Sequence, residues 1–354
     1  MGEVFGAGMS HYPGFHAHPE HIGKQLVGNI ARSIKSGGAD PKWEDKANWP
    51  PELLEEYGED EGAAAGIAHR KLHQDAVMKV RDAMDAFNPD FVLIFGDDQY
   101  ENFHDDIVPP FAVFAWDEIN LGPIRSNRLG GGNFWDEDPD KEFSYKGHKE
   151  AALYLANGLM DSGFDIAYSY RPLHKENAAH AFKNTLLYLD DDRRGFPYPV
   201  IPFHVNCYGA RFVLSRGGGG PVAADAQYDV KAPSPKRCFE LGQALARVIK
   251  DSPYKGAVIG SSSWSHGGLT ESHDWIHPDV EADKRMWEHL SSGDLTFFRD
   301  ITTEELVEAG QVEVPNWCAM LGAMYELGQR IEPLAFAPSH IFNSSKAVAL
   351  FHPA

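Results

Sequence analysis

The sequence predicts an α/β fold: one domain over residues 1–354, a central, largely parallel or mixed β-sheet flanked by helices, and an active site at the C-terminal ends of the strands. Three observations predict it. Short apolar runs rich in β-branched and aromatic residues alternate with longer helical stretches. The run FVLIFG at 91–96 is apolar at every position, as expected for a strand buried on both faces. Several such runs end in polar residues, where open α/β sheets place their sites.

In chain order, residues 4–10 read as a first strand, with His11 at its C-terminal end before the turn-forming Pro13-Gly14. Residues 22–36 are helical. Residues 37–60, rich in Pro, Trp, Asp and Glu, read as a surface excursion. The spacing of Ile67, Leu72, Val77, Val80 and Met84 predicts a long helix over 63–87, stopped by Asn88-Pro89. The strand at 91–96 then delivers Asp97, Asp98, Gln99 and Tyr100. Residues 111–116 form another strand, and the Gly-, Asn- and Asp-rich stretch 121–144 reads as a long functional loop or lid. A helix over 146–162, a strand at 164–169, a loop carrying His174 and His180, and a strand at 198–206 follow. Residues 211–235, including the glycine run 217–220, read as an irregular excursion. No GK[ST] follows that run, so it is no phosphate loop. Residues 236–250 are helical, and residues 255–268 are a strand that ends in a small-residue turn bearing His266. The C-terminal third is mostly helical around residues 284–289, 303–308 and 317–329. No internal repeat and no clean linker interrupt the chain.

Composition narrows the function. There are 32 basic and 52 acidic residues, a formal net charge of −20, which repels nucleic acid and anionic membrane. An anionic substrate therefore needs local positive charge, from a metal or an arginine; Arg125, Arg128 and Arg171 are candidates. The three cysteines, Cys207, Cys238 and Cys318, are widely spaced with no CxxC, which argues against a disulfide framework and for a reducing cytoplasm. The N-terminus has neither a basic region nor a long apolar core, so no signal peptide is expected. No apolar run approaches the ~20 residues of a membrane span.

The chemistry concentrates at segment ends. His11, the 97–102 loop and His266 stand at strand ends, and Glu313 stands at the start of a helix in QVEVPNW. Histidines and a carboxylate from separate segments at the rim of a sheet suit a non-haem iron site. Such a site holds the metal on one face and leaves the other open. Each residue has a bland alternative. His11 can be a turn histidine, His266 a structural one, and Glu313 a carboxylate at a helix N-terminus. Gln99 can be a buried hydrogen-bonding amide, and Tyr100 and Phe103 can be core. His16, His18 and His21 read as surface or pocket-wall residues.

Over most of the chain, these segments resemble, in order, the class III extradiol dioxygenases, especially the catalytic subunit of protocatechuate 4,5-dioxygenase. Met9-Ser10-His11-Tyr12-Pro13 is similar to the family's opening S-H-x-P. FVLIFGDDQYENFHDDIVPPFAV resembles the strand and loop that supply its second metal ligand. VIGSSSWSHGGL resembles the segment with the acid–base histidine, and VEVPNW the one with the carboxylate ligand. HKENAAHAF falls where the family has a second active-site histidine. The resemblance implies a non-haem Fe(II) enzyme that opens a catechol-type aromatic ring with O2. It implies His11 and Glu313 as metal ligands, His266 and His180 as catalytic residues, and a homo-oligomer. Where the family has D-H, this chain has Asp98-Gln99. Gln99 then either binds the metal through its amide oxygen, or gives way to His104 or Asp98, or marks a site with another metal or none. A zinc-dependent hydrolase or lyase on the same scaffold, and a non-catalytic binding relative, are the alternatives.

Overall fold

The computed structural model describes residues 2–35, 37–124, 132–208 and 230–353. Arg125, Arg128 and the glycine run 217–220 lie outside the described residues. Ten strands are described: β1 (Glu3–Met9), β2 (Phe91–Gly96), β3 (Phe111–Phe114), β4 (Glu118–Asn120), β5 (Ser144–Lys146), β6 (Ala167–Ser169), β7 (Val200–Val205), β8 (Lys255–Ser261), β9 (Arg330–Ala337) and β10 (Lys346–His352). The helices are α1 (Ile22–Lys35), α2 (Pro51–Tyr57), α3 (Ala63–Phe87), α4 (Lys149–Asp161), α5 (His180–Leu189), α6 (Pro235–Lys250), α7 (Val280–Ser292), α8 (Thr296–Asp300), α9 (Thr303–Glu308) and α10 (Pro315–Glu326).

Eight strands form one mixed sheet in the order β6-β3-β7-β2-β8-β1-β10-β9, and β4 pairs with β5 separately. Its four central strands, β7-β2-β8-β1, are parallel, and antiparallel partners flank them on both sides. Every residue of β2 and β7 is buried, in keeping with their apolar sequences. One face of the sheet packs on α4, α6, α7 and α10, the other on α1, α2, α3 and α5. Among the described residues no helix is long and apolar enough to cross a membrane.

Local sequence explains the boundaries that matter for the site. Asn88, with φ 51°, ends α3 in the left-handed conformation, and its N–H bonds Met84 O before Pro89 forbids continuation. α6 and α10 cross closely because Gly242 and Gly322 stand at the contact. A Cβ at Gly242 would lie 1.8 Å from Ala319 O, and one at Gly322 would lie 2.0 Å from Phe239 O. This crossing seats α10, and Glu313 just ahead of it, above the sheet.

The structure differs from expectation in two places and adds an element in a third. Residues 37–60 are not a surface excursion, since Trp43, Trp49, Leu53 and Tyr57 are buried in the core on the α3 face. The loop expected around His180 is the start of α5. After the expected helices of the C-terminal third, the stretch 330–352 adds a pair of antiparallel strands that extends the sheet beyond β1. There β9 is the edge strand and carries Pro333, where a missing N–H costs no ladder bond. All three cysteines are buried and unpaired.

Candidate active site

The parallel strands converge their C-terminal ends on one pocket. β1 and β8 run in register, with Met9 opposite Ser261, so the residues just beyond them are neighbours. His11 is fully buried. Its carbonyl accepts from Asn184 Nδ2 of α5 at 2.8 Å, and its ring Nδ1 lies 2.9 Å from Ser261 Oγ. That contact turns Nε2 inward, 3.4 Å from Glu313 Oε2 and 4.0 Å from Asp97 Oδ1.

Glu313 lies at the centre of the pocket. Oε2 accepts from the Ser263 N–H at 2.8 Å. Oε1 faces His266 Nε2 at 3.1 Å, Gln99 Nε2 at 3.3 Å and the Tyr208 hydroxyl. His266 directs Nε2 inward because Nδ1 donates to Trp264 O at 2.8 Å. Gln99 Nε2 also donates to the Tyr208 hydroxyl at 2.7 Å. The reversed amide would set its oxygen against the Glu313 carboxylate.

Asp97, immediately beyond β2, is wholly buried. Asn316 Nδ2 donates to its Oδ1 at 3.2 Å, while Oδ2 has no hydrogen-bond partner. Oδ2 faces His180 Nε2 at 3.9 Å. His180 is anchored on its other side: Nδ1 donates to Glu101 Oε2 at 2.7 Å, and its backbone N–H reaches the same carboxylate. One donor atom from each of His11, Asp97, His180 and Glu313 lies within 4.8 Å of all the others. This arrangement can hold a metal ion.

The electrostatics match that capacity. Burial lowers the His11 pKa to about 3, so its imidazole is neutral and its inward nitrogen is a lone-pair donor. Burial alone would raise Glu313, but His266, His11 and His180 outweigh it and hold the carboxyl well below the usual range. Asp97 moves the other way, raised by burial and by the neighbouring Glu313 charge. Burial would lower His180, but Glu101, Asp97 and Glu313 raise it to about 10. The same carboxylate raises His266 against its burial. Two buried carboxylates this close require compensating positive charge, which a divalent cation supplies. The unpartnered Asp97 oxygen and the inward His11 nitrogen are donors suited to one.

Of the residues expected from sequence, His11, Gln99, His180, His266 and Glu313 all reach this pocket. Two candidates to replace Gln99 have other contacts. Both oxygens of Asp98 cap the turn that follows, accepting from the backbone of Glu101, Asn102 and Phe103. His104 stacks between Tyr100 and His174. Phe103 packs on Phe114 and His204. Arg171 is exposed. The sequence pattern assigns no site role to Asp97, Glu101, Tyr208, Ser261 or Asn316. The position of Asp97 directly after a fully apolar strand was the available signal.

Parts of this chain are similar to known proteins. Residues 222–349, which include His266 and Glu313, match the family model described as the catalytic LigB subunit of aromatic ring-opening dioxygenase. A protein from Comamonas testosteroni, named 2,3-dihydroxyphenylpropionate/2,3-dihydroxicinnamic acid 1,2-dioxygenase, is 27% identical over 235 residues, 66% of this chain and 60% of that protein. Proteins of the same name from Photorhabdus laumondii and Burkholderia vietnamiensis are 24% and 26% identical. The alignments cover 60% and 70% of this chain, and 53% and 79% of those proteins. Among solved structures, an uncharacterized protein from Escherichia coli K12 superposes with a TM-score of 0.47 at 10% identity, over 79% of this chain and 92% of that one.

Proposed function

We propose that this chain, similar to the class III extradiol dioxygenases, opens the ring of a catechol-type aromatic substrate with O2, using non-haem Fe(II). The observation that carries this reading is the approach of His11 Nε2 to Glu313 Oε2 at 3.4 Å, from opposite ends of the chain, with His266 on the same carboxylate. His11 and Glu313 are the residues that would hold the metal. When bound, Fe(II) would supply the redox chemistry with O2 and acidify the substrate phenol.

The remaining work falls to side chains. His266 Nε2 faces the pocket with its tautomer set by the Trp264 carbonyl, so it accepts a proton at that nitrogen and returns it later. Glu313 keeps the resulting imidazolium in place. Burial of the pocket walls excludes bulk water.

The test is direct. The protein is purified without oxygen, loaded with Fe(II), and offered catechols with different ring substituents. Oxygen uptake with formation of a yellow ring-fission product is expected. Turnover that persists after every metal ion has been chelated away overturns the reading.

A further inference from the structure

Gln99 stands where an imidazole ligand is expected, yet its amide is committed to Tyr208 and Glu313. The missing imidazole is available elsewhere in the pocket. His180 enters from the N-terminus of α5, its Nε2 faces Asp97 Oδ2, and its ring stands edge-on to His11 with centroids 5.0 Å apart. Its Nδ1–H is donated to a buried carboxylate, Glu101, at 2.7 Å. Metal-ligating histidines commonly show this pattern, because the carboxylate fixes the tautomer and orients the free nitrogen toward the ion. His11 is held in the parallel way by Ser261. Asp97 faces both imidazoles, with Oδ1 4.0 Å from His11 Nε2 and Oδ2 3.9 Å from His180 Nε2; Oδ2 has no hydrogen-bond partner, while Asn316 holds Oδ1.

We propose that the metal set of this protein is His11, His180, Asp97 and Glu313. His180 replaces the imidazole that Gln99 cannot supply, Glu101 is its positioning residue, and Gln99 serves as a hydrogen-bond donor to Glu313 and Tyr208. The proposal rests on the ring-cleavage reading only in taking the pocket as a metal site. It changes the role of His180 from proton carrier to ligand and leaves proton transfer to His266. The set offers two imidazoles and two carboxylates. It is richer in hard oxygen donors than a set of two imidazoles and one carboxylate, and so suits Fe(II) and Mn(II).

Mn(II) is the probe, because it binds without turnover. Pulsed electron paramagnetic resonance of the Mn(II)-loaded protein counts coordinated imidazoles through their nitrogen couplings. Two are expected in the wild type and in Gln99→Met, and one in His180→Gln. Glu101→Gln should keep both imidazoles but weaken Mn(II) binding about 10- to 100-fold, the usual effect of removing such a partner. Asp97→Asn should weaken it by at least about tenfold. Glu101→Gln leaves every proposed ligand in place, so it keeps the test decisive if His180→Gln misfolds. A count that His180→Gln leaves unchanged, or a loss of metal confined to Gln99→Met, overturns the assignment while the ring-cleavage reading stands. Mn(II) binding as expected with no ring fission of any catechol by the Fe(II) form overturns that reading and supports the assignment. A wild-type protein that binds no divalent ion overturns both.

Discussion

Glu313 shows how much a single side chain carries here. It is wholly buried, and its two oxygens meet His11, His266, Gln99, Tyr208 and the Ser263 backbone. Such a carboxylate is tolerated only because every neighbour is a donor or can be one. His266 is the residue whose removal most cleanly separates binding from chemistry. His266→Gln should reduce kcat about 10²–10⁴-fold, the range for loss of a general acid–base group. It should still load a divalent metal, because His11 and Glu313 remain. Wild-type turnover by His266→Gln would remove this histidine from the reaction.

At the scale of elements, one contact ties the expected surface excursion to the sheet. Glu56 of α2 accepts from Ser339 Oγ, from the His340 and Ile341 N–H groups and from His69 of α3. The carboxylate thus pins the connection between β9 and β10 to the helical layer. Burial would raise its pKa, but the bonds from His69 and the Ile341 and His340 backbone outweigh it and hold the carboxyl at about 2, below its ordinary 4.5. A folded pKa below the unfolded one means stability that is complete above about pH 4.5 and lost as pH falls toward about 2. Its size is on the order of 3 kcal/mol. Glu56→Gln should therefore cost about 1–3 kcal/mol at pH 7. It should also flatten the acid dependence of stability between pH 4.5 and 2. Urea unfolding at pH 7 and pH 3.5 measures both. If wild type and variant lose stability equally on acidification, the bond network at Glu56 is not what holds the hairpin.

Across the whole molecule, the site joins the two ends of the chain. His11 follows the first strand, Glu313 precedes the last helix, and the sheet order places β1 and β8 side by side. A ligand that binds this assembled pocket and not the unfolded chain must stabilise the fold, by about 2.7 kcal/mol at a hundredfold excess over Kd. Fe(II) or Mn(II) should accordingly raise the thermal midpoint by several degrees, and a chelator should reverse the shift. A midpoint indifferent to both ions would count against metal binding here.

The sequence by itself determined the α/β class, the long helix 63–87 with its Asn-Pro stop, and the central strands, because periodicity and capping are local properties. The resemblance also grouped His11, His266 and Glu313 as candidates for one site, and the structure brings these three side chains together. Only the tertiary structure decided the rest. The tryptophans and leucines of residues 37–60 have no clear period, so their burial depends on the α3 face that receives them. The strands at 330–352 form because β1 offers an open edge. Asp97 and Glu101 look like ordinary loop residues in one dimension, and only the family resemblance singles out His180. Their meaning comes from convergence, which depends on distances between segments up to a few hundred residues apart, and no local pattern encodes those distances.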